Sequence, residues 1–477
     1  MAEQSLKQKT KKGLYWKFAE QFATYGMQFV IGIVLARLLS PSDYGIIALP
    51  VVFYSVAYIL AGSSFATAII RKPDLKEEDI STAFYYSTAV GIVFYILLFI
   101  ASPWIADFYN APVLKPLIRV SALVFLYEPI GTPQSIILQR RLDFKTPAII
   151  RVVCNIVSGI IGITMAYYGY GVWSLTISSM LSGIVGLCFM LYVVRWYPKT
   201  GWSKESFRYL WGFGNKLMVS SLLNTVYNNI APIVIGKYYS TADLGVYNRA
   251  YNYAKIPSEN ATGVLQSVTF PVLSKIQEDE AALAQNYRRI LKASAFVIFP
   301  VMMLLAALAH PLIIIMITKK WESCVVLLQI ICFSVMWYPI HAINLNLLQV
   351  KGRSDWFMKL EIIKKVYGVI ILGVTLPFGL IVFCLGSVLS SFISLVVNTH
   401  YTGRLIHLGF LMQLKDLAPT FFLSLMTFVI SWSLTQIISN IWLQLVLGGI
   451  AGSVFYFGVA WLLKMNQLSD IKYLFSR

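Results

Sequence analysis

Long apolar segments recur along this chain of 477 residues, and they limit what it can fold into. Each is long enough to cross a hydrocarbon core about 30 Å thick, which takes about 20 residues of α-helix. Hydrophobic residues make up 58% of the chain and charged residues only 13%, whereas a soluble protein carries about 25% charged residues. Alternating segments of about ten residues, which a transmembrane β-barrel requires, do not occur. The chain is therefore predicted to be an all-α polytopic membrane protein.

Breaks marked by proline, glycine and clustered charges divide the apolar material into about fourteen predicted transmembrane helices. The first six lie near 14–39, 44–70, 82–108, 114–138, 147–168 and 172–194. The next six lie near 210–236, 242–270, 290–317, 323–349, 356–377 and 379–403. A last pair lies near 417–439 and 441–463. The apolar run after the basic N-terminus is too long for a signal-peptide core, so it is interpreted as the uncleaved first span.

Lysine and arginine are distributed unequally between the two sides of these spans. If the N-terminus is placed inside, most of them fall in the inner loops. The outer loops hold only Arg37, Lys115, Lys237, Lys319 and Lys320. The positive-inside rule therefore predicts that both termini are cytoplasmic. It also accounts for most of the net charge of +18, so a nucleic-acid partner is not needed to explain that charge.

One short phrase occurs twice. Residues 34–45 read VLARLLSPSDYG, and residues 234–245 read VIGKYYSTADLG. Ser40 and Asp43 match Ser240 and Asp243, and each pair precedes an apolar run, which predicts an N-cap that opens the second helix of a pair.

A second repeated pattern lies at the ends of later spans. Residues 129–141 read PIGTPQSIILQRR, and residues 339–351 read PIHAINLNLLQVK. Chance matching of loop caps is the alternative, but two collinear matches favour two six-helix lobes in the same orientation. Such lobes are related by a pseudo-two-fold axis along the membrane normal, which is a transporter architecture. The predicted segments are an N-terminal lobe at 1–208, a C-terminal lobe at 209–404 and two additional helices at 405–477.

Charged side chains remain inside the predicted spans. A charge at a helix centre that faces lipid costs ~2.5–3.5 kcal/mol, so such residues should face a wet cavity, pair or reach the interface. The candidate cavity cations are Arg119, Arg249, Lys255, Lys364 and Lys365. The acids that could carry a coupling ion are Glu20, Glu128, Glu259 and Glu361. Arg151 and Lys216 are also basic, but snorkelling to the cytoplasmic interface explains them at least as well, and Arg119 and Arg249 are open to the same explanation on the outer side. The excess of bases predicts a cationic cavity for an anionic substrate.

Each of these residues also has a structural interpretation. Lys255 and Glu259 lie four residues apart and could neutralise each other, and Glu361 could pair with Lys364 or Lys365. Asn248 and Asn252 continue the polar face of that same helix, which favours a cavity wall. Hydrogen-bonding side chains in neighbouring spans suit sugar hydroxyls and interhelical packing equally well; these are Asn224, Asn228 and Asn344.

Motifs of several enzyme classes are missing from the sequence. It contains no Walker A loop, no HExxH, no Cys/His cluster with metal-ligand spacing and no G-x-S-x-G elbow. The outer loops are tight turns that leave little room for an active site. The chain is therefore predicted to be a transporter rather than an enzyme, with no cofactor and no metal.

Several of these stretches resemble one known family. The KxGxxW pattern of Lys11, Gly13 and Trp16, the run VLARLLSPSDYGIIAL and the segment QRRLDFK at 139–145 are similar to the Wzx-type polysaccharide flippases of the MOP superfamily. The similarity is strongest to the colanic-acid exporter branch. It implies alternating access through a cavity between two lobes. It also implies transport of undecaprenyl-diphosphate-linked oligosaccharide across the bacterial inner membrane, for O-antigen, capsule or exopolysaccharide.

The resemblance carries further implications. In such flippases, cationic cavity residues bind the diphosphate and sugar acids, and a proton or sodium gradient drives transport. Membrane lipids and the polysaccharide polymerase machinery are the implied partners. Two alternatives remain open. A MATE-like drug or cation antiporter usually has twelve spans, and the excess of bases argues against it. A membrane polysaccharide polymerase or ligase would need larger outer loops.

Overall fold

The structure is a computed structural model that describes residues 2–468. Side chains are described throughout that range except at 2–15, 17–19, 63, 64, 264 and 268, so Lys11 and Gly13 of the KxGxxW pattern lie outside the described side chains. Within the described range every regular element is a helix and no β-strand occurs, which confirms the all-α prediction.

The chain divides into two compact units, Met1–Gly245 and Val246–Arg477. The first unit contains α1 (Ala2–Leu38), α2 (Pro41–Ala48), α3 (Val51–Tyr58), α4 (Ser64–Arg71), α5 (Glu77–Phe108), α6 (Leu114–Ser121), α7 (Val124–Arg140), α8 (Lys145–Tyr167), α9 (Val172–Val194) and α10 (Lys204–Tyr238). Helix α11 (Thr241–Lys275) begins in the first unit and continues into the second. The division into segments 1–208, 209–404 and 405–477 stays a prediction.

The second unit continues with eight more helices. They are α12 (Glu280–Ala307), α13 (Ala309–Ile317), α14 (Cys324–Val335), α15 (Tyr338–Val350), α16 (Ser354–Thr375), α17 (Leu380–Ile406), α18 (Phe410–Ile437) and α19 (Ile441–Leu462). Helices therefore occur at all fourteen positions where the sequence predicts a span.

Eleven helical segments in the described range are long and apolar enough to cross a membrane. The predicted spans near 114–138, 242–270 and 356–377 are not among them. These three helical regions carry all five candidate cations and three of the four candidate acids. Their charges lower the hydropathy that a lipid-facing helix needs, so the count of fourteen spans stays a prediction.

The predicted span near 44–70 is interrupted. It consists of α2, α3 and α4, with a π-helical turn at Ile59–Ser63 between the last two. Gly62 in that turn has φ +116°, a backbone conformation that residues with a Cβ rarely adopt. A Cβ there would also lie 2.7 Å from Ser87 Oγ. A glycine is therefore required at this kink.

The predicted N-caps of the repeated phrase are present. Ser40 Oγ accepts a hydrogen bond from the Asp43 backbone N–H at 3.2 Å, and the Ser40 N–H donates to Asp43 Oδ2 at 2.9 Å. The second copy has the same reciprocal bonds between Ser240 and Asp243, at 3.0 and 3.2 Å. The predicted N-caps are therefore confirmed, and the reciprocal bonds make each phrase a capping box that opens α2 or α11.

The second repeated pattern ends a helix in each unit and fixes a neighbouring loop. In the first unit, Arg140 Nη1 donates to the carbonyls of Ile69 and Lys72, at 3.0 and 2.6 Å. In the second unit, Lys351 Nζ donates to the carbonyl of Gln277 at 2.6 Å. A base at the end of α7 or α15 thus binds the loop that follows α4 or α11 in its own unit.

A buried carboxylate joins α18 to α12. Asp416 accepts two hydrogen bonds from Arg288, both 2.6 Å long, and its Oδ1 lies 2.9 Å from Lys292 Nζ. The Asp416 side chain is only 6% exposed, so it needs these two positive partners. Charge patterning in the sequence gave no indication of this triad.

Candidate functional site

Two adjoining cavities lie inside the first unit. Their volumes are about 600 and 580 Å³. Both are lined by Tyr58, Val124, Tyr127, Glu128 and Ser179, so they adjoin at these five residues. We call the two together the Glu128 cavity, after the single carboxylate in their walls.

Helix α7 supplies one wall of the Glu128 cavity because its polar residues recur with helical spacing. Glu128, Thr132, Ser135 and Gln139 follow one another at four, three and four residues, which places them on one face. The opposite wall comes from α9, through Thr176, Ser179 and Ser182. The sequence thus builds a polar surface on two helices that are otherwise apolar.

Tyr58 enters the cavity from the end of α3, directly before the π-helical turn. A smaller cavity of about 80 Å³ is lined by Gly62 and Ser87, together with Tyr58 and Glu128. Single π-turns inside helices are frequent at functional sites. Here the turn, which Gly62 permits, places Tyr58 beside Glu128.

Glu128 is the chemical centre of the cavity. Its carboxylate is half-buried and interacts electrostatically with the hydroxyl groups of Tyr58 and Tyr127. The lining residues include no lysine, arginine or histidine. No ion pair joins Glu128 to a base in the part of the chain that the structure describes. The cationic cavity that the sequence predicts is therefore not this one.

The other three candidate acids each have a basic partner. Glu20 is 4% exposed, and its Oε1 lies 2.9 Å from Arg151 Nη1, across α1 and α8. Glu259 Oε1 lies 3.2 Å from Lys255 Nζ within α11. Glu361 pairs with Lys364 within α16. The pairs of Glu259 and Glu361 are the neutralising pairs that the sequence allowed as an alternative. The pair of Glu20 with Arg151 was not predicted.

The candidate cations do not come together in the Glu128 cavity. In the first unit, Arg119 Nε donates to Ser102 Oγ at 2.9 Å, and its guanidinium carbon lies 4.2 Å from the centre of the Phe99 ring. In the second unit, the guanidinium carbon of Arg249 lies 5.4 Å from the centre of the Trp321 ring. Lys365 is half-buried in α16. The ligand roles of these residues stay predictions.

The five candidate asparagines differ in exposure. Asn344 is 1% exposed, and its side-chain amide bonds to Gln413 and Thr402, which makes it part of a buried polar network between α15, α17 and α18. Asn248 is half-buried, and three are exposed: Asn224, Asn228 and Asn252. The buried network suits the packing interpretation of Asn344, whereas the other four have surface that a ligand can reach.

Most of the cavity residues were not predicted from the sequence. Apart from Glu128, the polar lining consists of Tyr54, Ser55, Tyr58, Ser121, Tyr127, Thr132, Ser135, Gln139, Thr176, Ser179, Ser182 and Thr225. The four-three-four spacing of polar residues in α7 could have revealed one wall, because the same test found the polar face of α11. Among the described residues, no cluster of three or more His, Cys, Asp and Glu side chains could hold a metal ion.

Comparison with known families decides how this helical chain is classified. The profile of a family described as polysaccharide biosynthesis protein matches residues 34–326, which is more than half of the chain. The chain belongs to this family. The match confirms the family-level resemblance that the VLARLLSPSDYG phrase indicated.

Curated relatives agree with the polysaccharide biosynthesis family. The lipopolysaccharide biosynthesis protein WzxC of Escherichia coli (strain K12) is 26% identical over 448 residues, covering 90% of this chain and 88% of WzxC. The succinoglycan biosynthesis transport protein ExoT of Rhizobium meliloti is 24% identical, covering 64% of this chain and 62% of ExoT. The teichuronic acid biosynthesis protein TuaB of Bacillus subtilis is 28% identical, covering 63% of this chain and 62% of TuaB.

Solved structures identify the fold of this family member. The lipid II flippase MurJ, in an inward closed conformation, superposes with a TM-score of 0.73 at 16% identity, covering 93% of this chain and 98% of MurJ. An inward-facing MATE multidrug transporter of the MOP superfamily gives a TM-score of 0.59 at 16% identity, covering 80% and 94% of the two chains. The chain therefore has the all-helical fold of these transporters and is a multi-pass membrane protein.

Proposed function

We propose that this protein is a secondary transporter that flips undecaprenyl-diphosphate-linked oligosaccharide from the cytoplasmic to the periplasmic leaflet. The product serves surface polysaccharide synthesis, as O-antigen, capsule or exopolysaccharide. One observation carries this proposal: a member of a polysaccharide biosynthesis family has a fold that matches a lipid II flippase over 93% of its length. We also propose that the protein lies in the bacterial inner membrane with both termini in the cytoplasm. The distribution of lysine and arginine supports this orientation.

Charged helices inside the membrane support transport of an anionic head group. The diphosphate is proposed to bind bases among Arg119, Arg249, Lys255, Lys364 and Lys365, while the prenyl chain stays in lipid. Of these, Arg119 has no carboxylate partner within the described residues, so its charge is available to an anion. Exposed asparagines on α10 and α11 would meet the sugars. Alternating access then exposes this site to each leaflet in turn.

Glu128 is the best placed of the four candidate acids to carry a coupling proton or sodium ion. The other three neutralise bases, so loading them with a cation would break an ion pair. Glu128 pairs with no base in the described structure, so it can bind a proton or Na⁺ without that loss. Coupling through Glu128 is therefore the proposed source of directionality.

Deletion of the gene in its host, followed by mass spectrometry of lipid-linked oligosaccharide and a leaflet-accessibility assay, tests the proposal. Accumulation on the cytoplasmic face, with loss of surface polysaccharide, is the expected result. It would also identify the sugar unit. Accumulation on the outer face would instead indicate a polymerase or ligase that acts after flipping.

One observation favours a second function. The Glu128 cavity carries a carboxylate and no base, which suits an organic cation, and the fold also matches a MATE multidrug transporter. A drug or cation antiporter predicts that the deletion leaves lipid-linked oligosaccharide unchanged and makes the cell sensitive to cationic drugs. The same deletion strain therefore separates the two functions.

A further inference from the structure

The wall of the Glu128 cavity is acidic in composition, whereas the chain as a whole is basic. The chain carries a net charge of +18, yet the cavity wall holds one carboxylate and no base. The remaining polar groups of the wall are phenols, aliphatic hydroxyls and the amide of Gln139. Such groups both donate and accept hydrogen bonds without carrying charge, which suits a ligand rich in hydroxyl groups.

The nearest bases along α7 do not alter this charge. Arg140 follows Gln139 directly, but its guanidinium donates to the backbone carbonyls of Ile69, Lys72 and Pro73. The positive charge of Arg140 therefore lies against these backbone carbonyls at the end of α4 and does not compensate the Glu128 carboxylate.

The shape of the cavity also suits a small polar ligand. Each of its two adjoining parts, with volumes of about 600 and 580 Å³, lies within the range of typical small-molecule sites. Tyr58 and Tyr127 flank Glu128, and each offers an apolar ring with a polar hydroxyl. A Cβ on Gly183 would lie 2.5 Å from the Tyr127 hydroxyl. The Tyr127 ring can therefore occupy its position only because residue 183 is a glycine.

We propose that the Glu128 cavity is a sugar subsite of the transporter, in addition to the exposed asparagines on α10 and α11, and that it accepts neutral or amino sugars and excludes sugar acids. The inference rests on the proposed function. Its physical reason is that a sugar carboxylate in this cavity would give up part of its hydration without gaining a cation from the wall. Ionised Glu128 adds repulsion at short range. Diphosphate binding by the candidate cations is unaffected, because none of them lines this cavity.

The test is equilibrium binding to the purified full-length protein in nanodiscs, measured by native mass spectrometry. The three probes are undecaprenyl diphosphate alone and the same lipid carrying either N-acetylglucosamine or glucuronic acid. We expect the N-acetylglucosamine probe to bind at least about 10-fold more tightly than the glucuronic acid probe. Equal or tighter binding of the glucuronic acid probe would overturn the inference.

Variants at Gln139 test the charge argument at a single position. Gln139 is exposed at the end of α7, so a longer side chain fits there. Gln139→Arg supplies the missing cation and should raise affinity for the glucuronic acid probe about 10-fold. Gln139→Glu is the matched control and should not raise it. Equal effects of the two variants would contradict the assignment.

Two glycine variants test the position of the Tyr127 ring. Gly183→Ala should weaken binding of the N-acetylglucosamine probe about 5-fold or more, because its Cβ displaces Tyr127. Gly212→Ala is the control, because a Cβ at that position in α10 meets nothing within 4 Å and Gly212 does not line the cavity, so binding should stay within about twofold. Unchanged binding in both variants would contradict a subsite against Tyr127.

The sugar-free probe separates the two levels of proposal. If undecaprenyl diphosphate alone binds and the sugars make no difference, the subsite is wrong while the flippase proposal stands. If none of the three lipids binds, the proposed function itself fails, and this inference fails with it.

Discussion

Gly45 and Gly245 pack against each other at the start of the two helices that the repeated phrase opens. A Cβ on Gly45 would overlap the carbonyl oxygen of Thr241 and lie 3.1 Å from the Gly245 nitrogen. A Cβ on Gly245 would overlap the carbonyl oxygen of Pro41 and lie 3.0 Å from the Gly45 nitrogen. Ser42 Oγ and Thr241 Oγ1 share a hydrogen bond of 2.7 Å. The two copies of the phrase therefore contact each other reciprocally, and each final glycine is required by the backbone of the other copy.

Replacing Gly45 with alanine should destabilise the protein by about 1–3 kcal/mol, because backbone atoms must move to admit the methyl group. Thermal unfolding of the purified protein in detergent measures the effect. Gly212→Ala is the matched control, since a Cβ at that position in α10 meets nothing within 4 Å. It should be neutral or slightly stabilising, because alanine favours helix. Equal melting temperatures for the two variants would contradict the close packing.

Arg151→Gln should destabilise the first unit, because it leaves the Glu20 carboxylate buried without its guanidinium partner. We expect about 1–3 kcal/mol, less than for a fully buried pair, since the Arg151 side chain is 57% exposed. The double variant Glu20→Gln/Arg151→Gln should recover part of the loss. Lys216→Gln, at an exposed base of α10, is the control and should have little effect. A double-mutant cycle of unfolding temperatures measures the coupling, and strictly additive effects would exclude it.

Asp416→Asn should weaken the docking of α18 on α12, because Arg288 and Lys292 lose a carboxylate that is almost completely buried. We expect a loss of about 2–3 kcal/mol, since the two bases themselves keep some contact with water. Asp355→Asn removes an acid from the exposed Arg353 pair and serves as the control. Thermal unfolding should change for the first variant and not for the second. The reverse order would show that the triad does not hold α18.

Neutralising Lys255 and Lys365 together should abolish export if these two bases hold the diphosphate. The double variant Lys255→Gln/Lys365→Gln is compared with Lys359→Gln, an exposed base on α16. Surface polysaccharide and lipid-linked oligosaccharide are measured in the deletion strain carrying each variant at equal protein level. Full export by the double variant would contradict the assignment of these two lysines to diphosphate binding.

Glu128→Gln should remove the dependence of transport on an ion gradient, because the amide cannot load a proton or ionise to hold Na⁺. Flipping in proteoliposomes, with an imposed pH or sodium gradient, measures the coupling. Glu361→Gln is the control, since Glu361 is already neutralised by Lys364. Coupling that survives in Glu128→Gln and disappears in Glu361→Gln would move the coupling site to α16.

Features that depend on neighbouring residues were predictable. Run length and low charge predicted the helical class, and serine and aspartate ahead of an apolar run predicted the two N-caps. The pattern that ends in QRR or QVK correctly marked the ends of α7 and α15. These features follow from bonds and hydropathy within one turn or one span, so a single stretch of sequence contains them.

The interruption of the second span was not predictable in the same way. Gly62 lies in an apolar run like many other glycines, and only the positive φ and the proximity of Ser87 show why it is needed. Similarly, Gly45 and Gly245 could be seen to repeat, but their mutual contact depends on how α2 and α11 meet.

The sequence by itself determined that the chain is helical, membrane-embedded, internally repeated and supplied with charges inside its spans. Only the tertiary structure decided which charges are compensated: Glu20 meets Arg151, Asp416 meets Arg288 and Lys292, and Glu128 meets no base among the described residues. The physical reason is that a charge pair between helices depends on which faces pack together. Helical periodicity defines a face, but the neighbour of that face comes from a distant part of the chain.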